Sequence, residues 1–272
     1  LRRYGVDTGE IVRGGERVGI YYMEKGASQR GSLVIYDRKY SAMQQAQSGD
    51  FDWKKIFRGA KWFHFTGITP ALSPEVAKIC LEACKAAKAN KMTVSCDLNY
   101  RGKLWTKDAA KATMTKLLKY VDVVIANEDD CADVLGIKAA NSDTTKGALD
   151  EKGYESVAKQ VQKAFKLKMV AITLRTSISA SDNKWAAMVY DGKQCYHSKE
   201  YLIHITDRVG GGDAFGAGLI YGLVHKFDAQ KTLEFAVAAS CLKQTIEGDY
   251  NQVSLDEVLK LAGGNASGRI SR

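Results

Sequence analysis

Apolar residues return at helical and strand intervals over most of the chain. Val76, Ile79, Cys80, Ala83, Cys84 and Ala87 recur every three or four positions, which predicts an amphipathic helix. Ser73, Pro74 and Glu75 precede it as N-cap, first-turn proline and first-turn acid. MTVSCDLN predicts a short strand ending at Asp97. A second helix is predicted from about Thr106 to Tyr120, and VDVVIAN reads as a buried parallel strand ending at Asn127. A short helix through CADVLG closes at Gly136. The polar stretch 137–150 predicts a loop, 151–166 a helix, and KMVAITL a strand. WAAMVY and KQCYHS flank Asp191-Gly192, a hairpin signal. Two helices follow the glycine run at 210–212, the second capped by Asp228. Ser254 to Glu257 fits a capping box for the last helix.

Alternating strands and helices predict a doubly wound α/β sheet with helices on both faces. The front of the chain differs. VGIYYMEKG and SLVIYDR are two β-rich runs joined by a polar turn, so they predict a hairpin rather than a βαβ unit. That hairpin, residues 14–41, reads as a small β lid. Residues 42–272 form the α/β core, and residues 1–13 enter from that core.

Composition narrows the class. The chain has 272 residues, 45% hydrophobic and 26% charged, as an ordinary globular protein does. No apolar run is long enough to span a bilayer, so no membrane partner is expected. Six cysteines occur without a CxxC pair, and Cys80 and Cys84 read as small core residues; free thiols suggest a reducing, cytoplasmic setting. The net charge of +9 comes from lysines spread over several helices, with no basic stripe interleaved with aromatics. A solvated surface and no nucleic-acid partner are expected, and a positive field suits anionic small substrates.

The candidate chemistry sits in residues 207–218, DRVGGGDAFGAG. Side-chain-free residues let backbone N–H groups crowd around an anion, and a helix starting there adds its positive end. Asp213 at the helix start could take a proton from an attacking hydroxyl while the N–H groups hold a phosphoryl group. The glycine spacing is not that of a dinucleotide loop, and no Gly-Lys-Ser/Thr follows as in a Walker A loop. A tight turn capped by Asp213 is the plain structural alternative. His64, in WFHFTG, reads as a core or near-site histidine rather than a base, and Trp105 as a packing residue.

D-R-V-G-G-G-D-A-F resembles the signature of the ribokinase-like (PfkB) carbohydrate kinases, D-T-x-G-A-G-D-x-F, with Arg208 for the usual Thr and Gly211 for Ala. GIYYMEKGASQR, VIYDR, DLNYRGKLW, ANEDD, TLRTSISASDNKW and IEGDYN resemble, in order, the subgroup acting on 2-keto-3-deoxygluconate. The resemblance covers nearly the whole chain. It implies a three-layer α/β/α sandwich with a β lid, an ATP- and Mg²⁺-dependent sugar-acid kinase, and a homo-oligomer formed through the lid. Kinases of a neutral sugar such as fructose or ribose, or a non-catalytic nucleotide- or sugar-binding protein, are the alternatives.

The same resemblance implies residue roles. Asp213 is the base, and Gly210, Gly211 and Gly212 form the anion hole. Arg38 and Arg101 hold the carboxylate and keto end of the sugar, and Tyr21 and Tyr36 line its site. An arginine fork matches a carboxylate, which neutral sugars lack. Asn127 and Asp130 stand where the family has N-x-x-E near Mg²⁺ and phosphates; the shorter Asp130 implies a metal contact through water. Thr173, Arg175 and Asn251 fall on the nucleotide side. The family normally begins with a strand and a Gly-Gly segment that touch the sugar. Leu1 stands after them, so the natural protein is expected to carry residues ahead of it.

Overall fold

The computed structural model describes residues 1–139 and 151–265. The loop expected over 137–150 lies outside the described residues from position 140, as do the core's last residues, 266–272. The chain gathers into two compact units. The first holds Leu1–Tyr22, Val34–Ile137 and Lys163–Lys168; the second holds Met23–Leu33, the described part of 138–162, and the chain from Met169.

At the front, β1 (Ile20–Glu24) and β2 (Leu33–Asp37) form the expected two-stranded sheet. In the rest of the first unit come α1 (Ala42–Gln45), α2 (Trp53–Ile56), β3 (Trp62–Thr66), α3 (Ile68–Ala71), α4 (Pro74–Ala89), β4 (Thr93–Asp97), α5 (Lys107–Leu117), β5 (Val123–Asn127) and α6 (Glu128–Leu135). The predicted cap of α4 is present, with the Ser73 hydroxyl accepting from Val76 N at 3.2 Å. All six periodic apolar residues of α4 are buried. Thr106 caps α5, which ends at Leu117 and tightens into a 3₁₀ turn over Leu118–Tyr120.

Strands β3, β4 and β5 are parallel, with Thr66 beside Asp97 and Asp97 beside Ile125. Parallel pairing brings their C-terminal ends to one edge, where open α/β sheets bind ligands. Gly67 makes the turn off β3 possible: a Cβ there would lie 2.0 Å from the Leu98 carbonyl oxygen. Not every lysine is solvated freely. Asp122 is buried, which works against its charge, yet Lys88 at 2.8 Å, the Val94 N–H and Lys168 at 3.1 Å hold its carboxyl below the usual range.

The second unit contains most of α7 (Glu151–Phe165), then β6 (Met169–Ser177), β7 (Asp182–Tyr190), β8 (Cys195–His197), β9 (Tyr201–His204), α8 (Gly211–Val224), α9 (Ala229–Lys243) and α10 (Leu255–Ala262). Antiparallel pairs here extend beyond the hairpin expected at 191–192. β6 and β7 pair antiparallel, from Val170↔Tyr190 to Ser177↔Asn183. The chain from Ser177 to Asp182 is too short for the crossover a parallel pair requires, so it can only turn back. β8 and β9 also pair antiparallel with β7. The predicted turn at 191–192 is present: Asp191 accepts the N–H groups of Lys193 and Gln194 at 2.8 Å, and Gly192 has φ 89°. Asp228 caps α9 and Ser254 and Glu257 form a reciprocal capping box on α10.

Helices α8 and α9 pack closely because α8 presents glycines. A Cβ on Gly218 would meet the Ala236 Cα at 2.8 Å, and one on Gly222 the Thr232 Cγ2 at 2.8 Å. This approach carries the C-terminal end of α9 to the glycine run that opens α8. All six cysteines are free thiols, five of them buried. Among the described residues no helix is long and apolar enough to cross a membrane.

Candidate active site

In the second unit, the run 210–213 forms the first turn of α8. Gly210 is its N-cap with φ 79° and ψ 1°, a left-handed conformation that favours glycine. No side chain caps this helix. The N–H groups of Gly212 and Asp213 lie in the first turn, beyond reach of the helix's own i−4 carbonyls. A Cβ on Gly212 would find nothing within 4 Å, so the backbone there faces open space. Asp213 is exposed in the same turn. The helix start therefore offers anion-binding donors with a carboxylate beside them.

The turn is held from behind. The Ser240 hydroxyl donates to the Gly211 carbonyl at 2.7 Å. The backbone N–H groups of Thr206 and Asp207 donate to the Gln244 carbonyl at 2.9 and 3.2 Å. Buried Asp207 accepts from Val209 N at 3.0 Å and Gly248 N at 3.1 Å. Arg208, which replaces the family's Thr, donates to the Ala180 carbonyl at 2.9 Å in the β6–β7 turn. Burial and the neighbouring Arg175 guanidinium lower the Arg208 pKa. Arg175 is exposed at the end of β6, and Thr173 is buried on the same strand. Exposed Asn251 accepts from Val253 N at 3.3 Å and donates to the Ala239 carbonyl at 3.5 Å.

In the first unit, Arg101 follows β4 and is half-buried, its Nη1 donating to the Tyr100 carbonyl at 2.9 Å. Asn127 ends β5 and caps α6, accepting from Asp129 N and Asp130 N. Asp130 closes the capping box through Asn127 N at 3.3 Å and also accepts from Tyr100 N at 3.0 Å. One buried carboxylate thus ties the loop bearing Arg101 to the start of α6. Burial raises the Asp130 pKa against the backbone hydrogen bonds and the Arg101 charge, which lower it.

The hairpin brings together its own three predicted residues. The Tyr21 and Tyr36 rings lie 6.4 Å apart at 51°. The Arg38 guanidinium stacks over the Tyr36 ring at 4.2 Å. Asp37, next to it, is taken by Arg17 through two hydrogen bonds of 2.6 and 2.7 Å.

His64 is not a core residue: it is exposed on β3, with Nδ1 2.7 Å from the Ser95 hydroxyl. A buried partner passed over in the sequence is Lys243, because a lysine reads as a surface residue. Its signal was the apolar run AVAASCL that precedes it.

The residues expected near magnesium, Asn127 and Asp130, are already engaged in capping α6. Both Asp130 oxygens already accept backbone N–H groups. Among the described residues no three His, Cys, Asp or Glu side chains converge as a metal-holding group.

The start of α8 is suited to an anion, and known proteins add the family. The chain matches the pfkB family of carbohydrate kinases over residues 1–255. The crystal structure of 2-dehydro-3-deoxygluconokinase from Thermotoga maritima is 51% identical, with a TM-score of 0.92 over 97% of this chain and 78% of that one. A PfkB family carbohydrate kinase from Listeria grayi is 33% identical, with a TM-score of 0.87 over 97% of this chain and 79% of that one. The 2-dehydro-3-deoxygalactonokinase of Haloferax volcanii is 29% identical over 267 residues, 98% of this chain and 77% of that protein. The fold is therefore the expected ribokinase-like α/β class, and the chain belongs to the pfkB family of carbohydrate kinases.

Proposed function

We propose that the protein transfers the γ-phosphoryl group of ATP to the terminal hydroxyl of 2-dehydro-3-deoxygluconate, also called 2-keto-3-deoxygluconate. The observation that carries this is Asp213 in the first turn of α8, three residues after the left-handed Gly210. Asp213 takes the hydroxyl proton as the hydroxyl oxygen bonds to phosphorus. The bond from the γ-phosphorus to the bridging oxygen breaks, and ADP leaves. The N–H groups of Gly210 and Gly212, with that of Asp213 behind them, hold the transferring group; the expected Gly211 donor is instead taken by the Arg208 carbonyl at 3.2 Å. Thr173, Arg175 and Asn251 serve the nucleotide. Magnesium would enter on the nucleotide's phosphates and offset their charge.

Arg38 and Arg101 hold the sugar's carboxylate and keto end, with Tyr21 and Tyr36 against its carbon chain. Asp130 acts by positioning the Arg101 loop. Replacing Arg38 or Arg101 with Ala is expected to raise KM for the sugar acid by roughly 10- to 100-fold, since charge-assisted bonds contribute about 1.5–3 kcal/mol. KM for ATP should stay unchanged. Steady-state kinetics in both substrates check this, and an unchanged sugar KM in both variants refutes the clamp. The name of the Haloferax volcanii relative supports a second reading, the galacto epimer. The two acids differ at one carbon that neither arginine is proposed to touch.

Residues 14–41 serve as a lid, and a second copy of the chain covers its outer face. Val18 is 75% exposed, Tyr22 58% and Ile35 56%, an apolar strip that water disfavours. Sedimentation velocity should give a dimer for the protein and a monomer for Ile35→Glu. A monomeric parent protein contradicts the pairing. The free thiols fit a reducing cytoplasm.

A further inference from the structure

Lys243 is the last residue of α9, and it is fully buried at 0% exposure. Its Nζ donates to the carbonyl oxygens of Asp207 at 3.1 Å and Ile246 at 3.3 Å. Both acceptors are backbone. They belong to the two stretches that flank the glycine turn, one leading into Gly210 and one passing behind it. A Cβ on Gly210 would lie 2.3 Å from the Asp249 carbonyl oxygen and 3.4 Å from the Lys243 Cε, so the turn, the 246–249 stretch and the lysine stem touch.

The charges around the ammonium are specific. The Asp207 carboxylate is fixed by Val209 N and Gly248 N, with the Lys25 ammonium 3.6 Å away and itself paired to Glu247. Burial pushes the Lys243 pKa down, and Asp207 and Asp249 push it up. A buried charge costs several kcal/mol before its partners offset it, and a methionine would fill the same space without that cost. The C-terminal end of α9 favours a cation, but an exposed lysine would satisfy that equally.

We propose that Lys243 is a positioning residue for phosphoryl transfer. Its ammonium is a built-in cation that gathers the Asp207 and Ile246 carbonyls and so fixes the path of Gly210–Gly212. The inference rests on the cradle reading above and deepens it. The lysine does not touch the phosphoryl group. It sets where the N–H donors point, and a misplacement of about 1 Å costs roughly 10²-fold in rate.

Lys243→Met and Lys243→Gln test this, assayed with and without ammonium chloride, with tetramethylammonium chloride as the salt control. The expected result is a kcat lowered about 10²-fold, a raised KM for ATP and an unchanged KM for the sugar acid. Ammonium, small enough for the vacated carbonyl pair, should restore much of the loss in the variants and do nothing to the unsubstituted protein. A folded variant with unchanged kcat overturns the proposal, as does a loss that ammonium leaves untouched. Failure of both variants to fold, with or without ammonium, makes Lys243 a core residue only and also overturns it. Calorimetry of ATP binding in the variants, with and without ammonium, reads the same effect if the sugar assignment is wrong. An unsubstituted protein that turns over no sugar acid refutes that assignment alone.

Discussion

Asp213→Asn lowers kcat by roughly 10³-fold, within the range a positioned general base contributes. The amide has the carboxylate's shape but cannot accept the hydroxyl proton. Asp213 is exposed, and its helix turn is held by Ser240 and Gln244 rather than by its own side chain. The melting temperature should therefore barely move, since losing a first-turn charge costs only about 0.3–1 kcal/mol. KM for ATP should also stay near its original value, because the N–H donors are intact. ADP-release kinetics beside a thermal melt separate these effects. A variant that keeps most of its kcat removes Asp213 from the chemistry and leaves it a first-turn acid.

Gly210→Ala is expected to damage both the fold and the reaction. A non-glycine residue at φ 79° costs about 1–2 kcal/mol in backbone strain alone. The added methyl would also lie 2.3 Å from the Asp249 carbonyl oxygen. That oxygen is backbone, so no rotamer change relieves the collision and the 246–249 stretch must move. Together these should lower unfolding stability by on the order of 3 kcal/mol. The displaced donors should lower kcat by roughly 10²-fold. Gly212→Ala provides the contrast. Its methyl meets nothing within 4 Å, and a Gly→Ala change at a compatible backbone position stabilises by about 0.4–1 kcal/mol. It should melt no lower than the unsubstituted protein. Urea unfolding of the pair decides the matter, and a Gly210→Ala protein as stable and active as its parent contradicts the account of the turn.

Local rules made much of this legible in the sequence. Ser73, Thr106, Asp228 and Ser254 cap the predicted helices because a cap needs only a side chain and the N–H two or three residues on. The glycine run announced its turn for the same reason. Pairing direction was harder, because the alternation of strands and helices does not state which neighbours pair. The short link between β6 and β7 held that information, and the general pattern masked it. β9 is only four residues long and pairs to β7 at the end away from β8, so nothing local marks it.

At the site, residue types were legible and their partners were not. Arg101 was placed correctly past the end of β4, but its bond to the Tyr100 carbonyl depends on how the loop folds. Asp130 suggested a metal contact by resemblance. In the structure its oxygens meet the Tyr100 and Asn127 N–H groups, one of them from a loop 30 residues away in sequence. Lys243 was passed over because composition treats lysine as a surface charge. Its burial follows from the close packing of α8 on α9, which glycines spaced along another helix make possible.

The most direct test of the central claim is the ratio of kcat/KM values across a sugar panel with Mg·ATP. The panel holds 2-dehydro-3-deoxygluconate, its galacto epimer, gluconate, fructose and ribose. The account expects turnover with the 2-keto-3-deoxy acids and none above background with fructose or ribose, because only the acids engage Arg38 and Arg101. Efficient phosphorylation of a neutral sugar, with the keto acids left untouched, would contradict it.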